Sequence, residues 1–126
     1  MWIYEQATGR LLTPDISHIA TGYAGGNEGK NPEGKNNPDM QCIPDVGPLP
    51  RGIYYMQEPV EHRLGLFAIP LLPDKNNDMC GRGGFYCHGD KISDPGNGSE
   101  GCIVMPNEIR HKMWDSIDHV IAVVHG

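Results

Sequence analysis

Apolar and polar positions alternate in short runs along this chain, and turns rich in Gly, Pro, Asn and Asp separate the runs. Runs of that period bounded by breakers predict strands. Trp2 and Tyr4 share one face of Met1 to Gln6, the turn Ala7-Thr8-Gly9-Arg10 follows, and Leu11 and Leu12 continue, which predicts a β-hairpin whose aromatic face is core. Ile16 to Ala20 predicts a further short strand. In Gly47-Pro48-Leu49-Pro50-Arg51-Gly52 the prolines stiffen the approach to a strand from Ile53 to Glu58. Leu66 to Leu72 is a continuous apolar run between Gly65 and Pro73 and predicts a buried strand, with Pro70 implying an edge or a bulge. After Met105 the spacing turns helical. Pro106 and Asn107 start the helix, Glu108 sits in its first turn, and Ile109, Met113, Trp114 and Ile117 fall on one face. Val120 to Val124 is β-branched and predicts a central strand. Short strands, long loops and one α-helix in the C-terminal half predict a mainly β sandwich or barrel.

Two polar stretches interrupt this pattern. Gly22 to Met40 is rich in Gly, Pro and Asn and offers little to bury. So long a segment without its own structure is either functional or a solvated, partly mobile loop. Tyr23, Asn36 and Asn37 are its candidate substrate contacts. The second stretch, Asp74 to Gly84, carries Arg82, whose planar guanidinium suits a two-pronged grip on a substrate carboxylate, against the commoner fate of a surface salt bridge.

The 126 residues predict one domain over residues 1–126, and a net charge of −6 argues against a nucleic-acid partner. No apolar stretch has the length of a membrane span, so no membrane insertion is expected, and the N-terminus lacks the basic start and apolar core of a signal peptide. A periplasmic target would then require delivery by another route. The four cysteines, Cys42, Cys80, Cys87 and Cys102, form no CxxC pair. Zinc is disfavoured because Cys87 and His88, adjacent on a strand, point to opposite faces; no metal or cofactor is expected. Cys42 and Cys80 can pair in an oxidising compartment, though the sequence alone does not fix the pairing.

The candidate chemistry lies in Phe85 to Met105, FYCHGDKISDPGNGSEGCIVM. An apolar run leads into His88, a loop of Gly, Pro and Asp follows, and the chain returns through Ser99, Glu100 and Gly101 to Cys102. A thiol needs an imidazole within reach to act as thiolate, and a loop of this length closes cheaply. Gly101 suits a turn in which successive N–H groups form an oxyanion hole. The bland alternative is a buried Cys102 and a surface His88. Glycines beside both residues, in HGD and EGC, favour the chemical reading, with Cys87 turned to the core.

An HG dipeptide at a strand end followed by S-x-G-C-I resembles the active-site signature of the L,D-transpeptidase catalytic domain, which remodels bacterial peptidoglycan. The longer string HGD...GNGSEGCIVM is similar to the short L,D-transpeptidase effectors delivered by type VI secretion and their prophage relatives. NNPDMQ and GPLPRG extend the likeness, the latter resembling the TPxGxF segment before a core strand. His88 precedes Cys102, whereas NlpC/P60 and papain-type enzymes place the cysteine first.

The resemblance implies an L,D-transpeptidase-like β fold and a cysteine nucleophile, Cys102, with His88 as base. The Gly89 carbonyl would orient His88, with Asp90 as competitor, and Gly101 and Cys102 N–H groups would hold the oxyanion. Ser99 would orient the turn or bind substrate, and Glu100 stands where the wider family often has His or Lys. It further implies action on the peptide stems of peptidoglycan in the periplasm, by a monomer with a secretion carrier and an immunity partner. Val104 departs from the Arg or Asn common two residues after the cysteine, which leaves Arg110 on the helix as a substitute. Rival readings are another thiol hydrolase acting on proteins, and a non-catalytic wall-binding module.

Overall fold

A computed structural model describes residues 1–63 and 65–126. In chain order the strands are β1 (Trp2–Glu5), β2 (Arg10–Leu12), β3 (His18–Thr21), β4 (Tyr23–Ala24), β5 (Gly52–Met56), β6 (Val60–His62), β7 (Gly65–Pro73), β8 (Tyr86–His88), β9 (Ile103–Val104) and β10 (Val120–Val124), with α1 (Asn107–Asp115) before the last. They form one open mixed sheet in the order β3-β2-β1-β10-β5-β7-β8-β9-β4, and β6 pairs with β7. The fold is mainly β with one helix, as the sequence pattern predicts.

The β1–β2 hairpin buries Trp2, Tyr4 and Leu11 on one face. β10 lies between β1, to which it is parallel, and β5, to which it is antiparallel, so the β-branched run is central. The two edge strands of the path, β3 and β4, are consecutive in the chain with only Gly22 between them. The sheet therefore curls until its edges approach. At that crossing a Cβ on residue 22 would fall 1.9 Å from the Val104 carbonyl oxygen, so only glycine fits.

Four expectations need correction. The strand predicted from Ile16 starts at His18, because Ile16 takes a left-handed φ of 63° in the turn that joins Ile16 N–H to the Thr13 carbonyl. Gly22 to Met40 is not a loose loop: it contributes β4 to the sheet and three 3-10 turns, with Tyr23, Ala24, Gly34 and Pro38 buried. Pro70 lies in an internal strand without a bulge at that position. Its carbonyl accepts from Gln57 N–H, so its missing N–H lies on that same side, and the β5 ladder ends at Met56 opposite Leu71, just before the proline. Ile117 lies beyond the helix and is fully exposed, while Ile109 and Met113 are buried and Trp114 rests against the core.

Candidate active site

The site is built where β8 meets β9. These strands run parallel, with Cys87 opposite Ile103 and His88 opposite Val104. Cys87 and Ile103 are fully buried, and burial pushes the Cys87 thiol up to about 12. Alternation then puts Tyr86 and His88 on the other face, together with Cys102 and Val104. Cys102 stands level with Tyr86, whose backbone N–H donates to its Sγ at 3.3 Å.

Cys102 lines a cavity of about 520 Å³ together with Pro44, Asp45 and the segment from Gly81 to Phe85. The Cys42–Cys80 disulfide joins the two lining segments. His88, only 2% exposed, lines a second cavity of about 470 Å³ with Glu28, Gly89, Asp90 and Lys91. Arg63, in the turn between β6 and β7, lines both. His88 Nδ1 lies 2.7 Å from the Gly89 carbonyl. A carbonyl only accepts, so Nδ1 carries a proton in this arrangement.

Charge around the sulfur is mixed. Burial, the largest influence, raises the Cys102 pKa; the Tyr86 N–H and the charges of Arg63 and Arg82 oppose it, and Glu100 adds to it. The net direction is upward, so the thiol is protonated at neutral pH. The Glu100 carboxyl is itself raised, by burial first and then by Glu28 and Asp45.

The other sequence candidates take different places. Ser99 is fully buried: its Oγ accepts from Gly25 N–H at 2.9 Å and Gly101 N–H at 3.0 Å, and donates to the Cys102 carbonyl at 2.7 Å. It shapes the turn and is out of a substrate's reach. Gly101, at φ 136°, thus already donates its N–H to Ser99. Arg82 directs Nη1 to the carbonyls of Gln41 and Pro48 and Nη2 to those of Gly47 and Glu100, at 2.6 to 3.1 Å. With those donors engaged it clamps the cavity wall instead of gripping a carboxylate.

Asp90 does not meet His88 through a hydrogen bond. It accepts from the Tyr23 hydroxyl, from Lys91 N–H and from Gly96 N–H, and so organises the loop. Tyr23 also accepts from Gly98 N–H at 2.8 Å, and its ring is nearly buried. Asn36 Oδ1 accepts from Ala24 N–H, while Asn37 caps a 3-10 turn through Asp39 N–H and donates to the Glu33 carbonyl. These hydrogen bonds brace the segment from Gly22 to Met40. Arg110 cannot replace the residue missing at Val104, because it is buried and donates to the carbonyls of Met105, Phe67 and Leu66.

Sequence reasoning passed over Arg63 and Asp45. Arg63 is a lone cation in a hairpin turn and Asp45 lies far from the motif, so only the fold brings them to the sulfur.

A thiol and an imidazole thus share one sheet face of a curled β domain, and each opens to a cavity. The chain matches the model of the Tlde1 domain over residues 20–124 and belongs to that family, one of type VI secretion effectors. No curated protein and no solved structure matched the chain. Among the described residues no helix is long and apolar enough to cross a membrane.

Proposed function

We propose that this effector-family domain is a cysteine acyl-transfer enzyme acting on the tetrapeptide stems of peptidoglycan in the periplasm of a target cell. The observation that carries the reading is the shared sheet face of Cys102 and His88, with the imidazole held by the Gly89 carbonyl. The resemblance of HGD...SEGC to L,D-transpeptidases supplies the substrate class. Membership of a type VI effector family supports delivery to another cell. The Cys42–Cys80 disulfide suits an oxidising compartment.

In this mechanism Nε2 of His88 takes the thiol proton as Sγ of Cys102 attacks the carbonyl between diaminopimelate and the terminal D-alanine. The carbonyl oxygen becomes an oxyanion facing the Cys102 N–H. Collapse breaks the C–N bond, the imidazolium returns the proton to the departing amine, and a thioester remains. Water then gives a tripeptide stem, a free D-amino acid gives exchange, and the side-chain amine of a second stem gives a 3-3 cross-link.

The test is incubation of purified tetrapeptide muropeptides with the protein, with and without added D-methionine, followed by mass spectrometry. Loss of one alanine, or its replacement by methionine, is expected, and Cys102→Ala and His88→Ala each abolish both. Unchanged muropeptides together with cleavage of a protein substrate would instead identify a thiol protease.

A further inference from the structure

We propose that Arg63 is the specificity-determining residue of this site: it receives the free carboxylate of the substrate's terminal residue and so restricts the enzyme to the last peptide bond of a chain. The inference rests on the acyl-transfer reading above and adds the chemistry of the leaving side.

Three observations carry it. First, Arg63 lines the Cys102 cavity and the His88 cavity alike, so its guanidinium stands where the two meet. Second, Arg82, the other cation of the Cys102 cavity, has Nη1 and Nη2 held by four backbone carbonyls. Lys91 lines the His88 cavity but not that of Cys102. Third, Arg63 is exposed and makes no hydrogen bond or ion pair among the described residues, while its charge is felt at both Cys102 and Glu100.

The reaction fixes what lies at that seam. The acyl half of the substrate must sit over Cys102, and the departing nitrogen must sit toward His88 to receive its proton. In a C-terminal residue the carboxylate carbon is separated from that nitrogen by the Cα alone. It therefore falls at the meeting of the two cavities. In an internal residue the same place holds a neutral amide, which cannot form a charge-assisted pair with a guanidinium.

The test compares two probes, a stem tetrapeptide ending in free D-alanine and the same peptide ending in D-alanine amide. Wild-type protein is expected to prefer the acid by about tenfold or more in kcat/KM. Arg63→Gln should bring the two within about twofold by raising KM for the acid more than for the amide; loss of its charge beside the thiol acts on both probes alike and so cancels in their ratio, and Arg63→Lys should restore part of the preference. Lys91→Gln should leave it intact. Equal cleavage of acid and amide by wild type would overturn the proposal. So would an Arg63→Gln protein in which both probes fall alike, with a displaced pH profile and the acid-to-amide preference of the wild type kept, which would mean that Arg63 acts on the thiol alone.

Cleavage of neither probe would count against the acyl-transfer reading. Binding to the Cys102→Ala protein, measured by calorimetry, then decides the point separately. Acid-selective binding lost on adding Arg63→Gln supports the carboxylate site, and equal binding of acid and amide removes it.

Discussion

The backbone N–H of Tyr86 points at the sulfur of Cys102 from 3.3 Å, and this contact sets the level of β8 against the turn that carries the thiol. It places the sulfur on the face of the sheet that carries His88, two residues further along β8. It also donates hydrogen-bond character to the developing thiolate in a place where burial otherwise disfavours the charge.

The first consequence is a pH profile. Because the Cys102 pKa is raised, its thiolate fraction at neutral pH is below that of an ordinary cysteine, and alkylation by iodoacetamide should accelerate with pH with no plateau below about 8.5. Glu100 raises that pKa, so Glu100→Gln should lower it and speed alkylation at any fixed pH below the plateau. Cys87 should stay unmodified until the protein unfolds, since it is fully buried and its pKa lies near 12. Peptide mapping by mass spectrometry across the pH series checks all three.

Arg82 and Ser99 should behave as structural residues. Arg82→Met leaves four carbonyls without their donor, and a loss of about 2 to 4 kcal/mol is expected in urea denaturation. Ser99→Ala removes two acceptor bonds and one donor bond at a fully buried position and should cost about 2 kcal/mol. If either variant kept full stability but lost substrate affinity, that residue would belong to the binding surface after all.

How much of this was legible in the chain can be judged from these same residues. The hairpin, the central strand and the helix follow from local alternation and spacing, so Trp2, Tyr4, Ile109 and Met113 were identifiable as core. The HGD and SEGC pair was identifiable because glycine and a reactive side chain together are informative at short range. What stayed hidden is what depends on long-range closure. The polar segment around Tyr23 looked unstructured because its partners, Asp90, Gly98 and Ser99, lie far along the chain. Arg82 looked like a carboxylate binder because nothing local reveals that four backbone carbonyls converge on it. Pro70 looked like an edge residue because the break in the neighbouring strands is a tertiary fact.

The disulfide gives a further prediction. Cys42 and Cys80 are 38 residues apart, and chain-entropy arguments assign a loop of that size about 4 kcal/mol of stabilisation. Reduction, or the Cys42→Ser/Cys80→Ser double variant, should lower the urea midpoint accordingly. Because the bond joins two segments that line the Cys102 cavity, activity should fall under mild reduction before global unfolding. An unchanged midpoint after complete reduction would show that the bond contributes nothing to the fold.

The account depends most on Cys102 being acylated, and that can be seen directly. The protein should be mixed with a tetrapeptide stem, quenched in acid within a turnover and digested, and the peptide containing residue 102 weighed. A mass increase equal to the stem less its terminal D-alanine, carried on Cys102 and absent from the Cys102→Ala protein, is the predicted result. A stem shortened at full rate with Cys102 never acylated, or with its rate unchanged in Cys102→Ala, would contradict it.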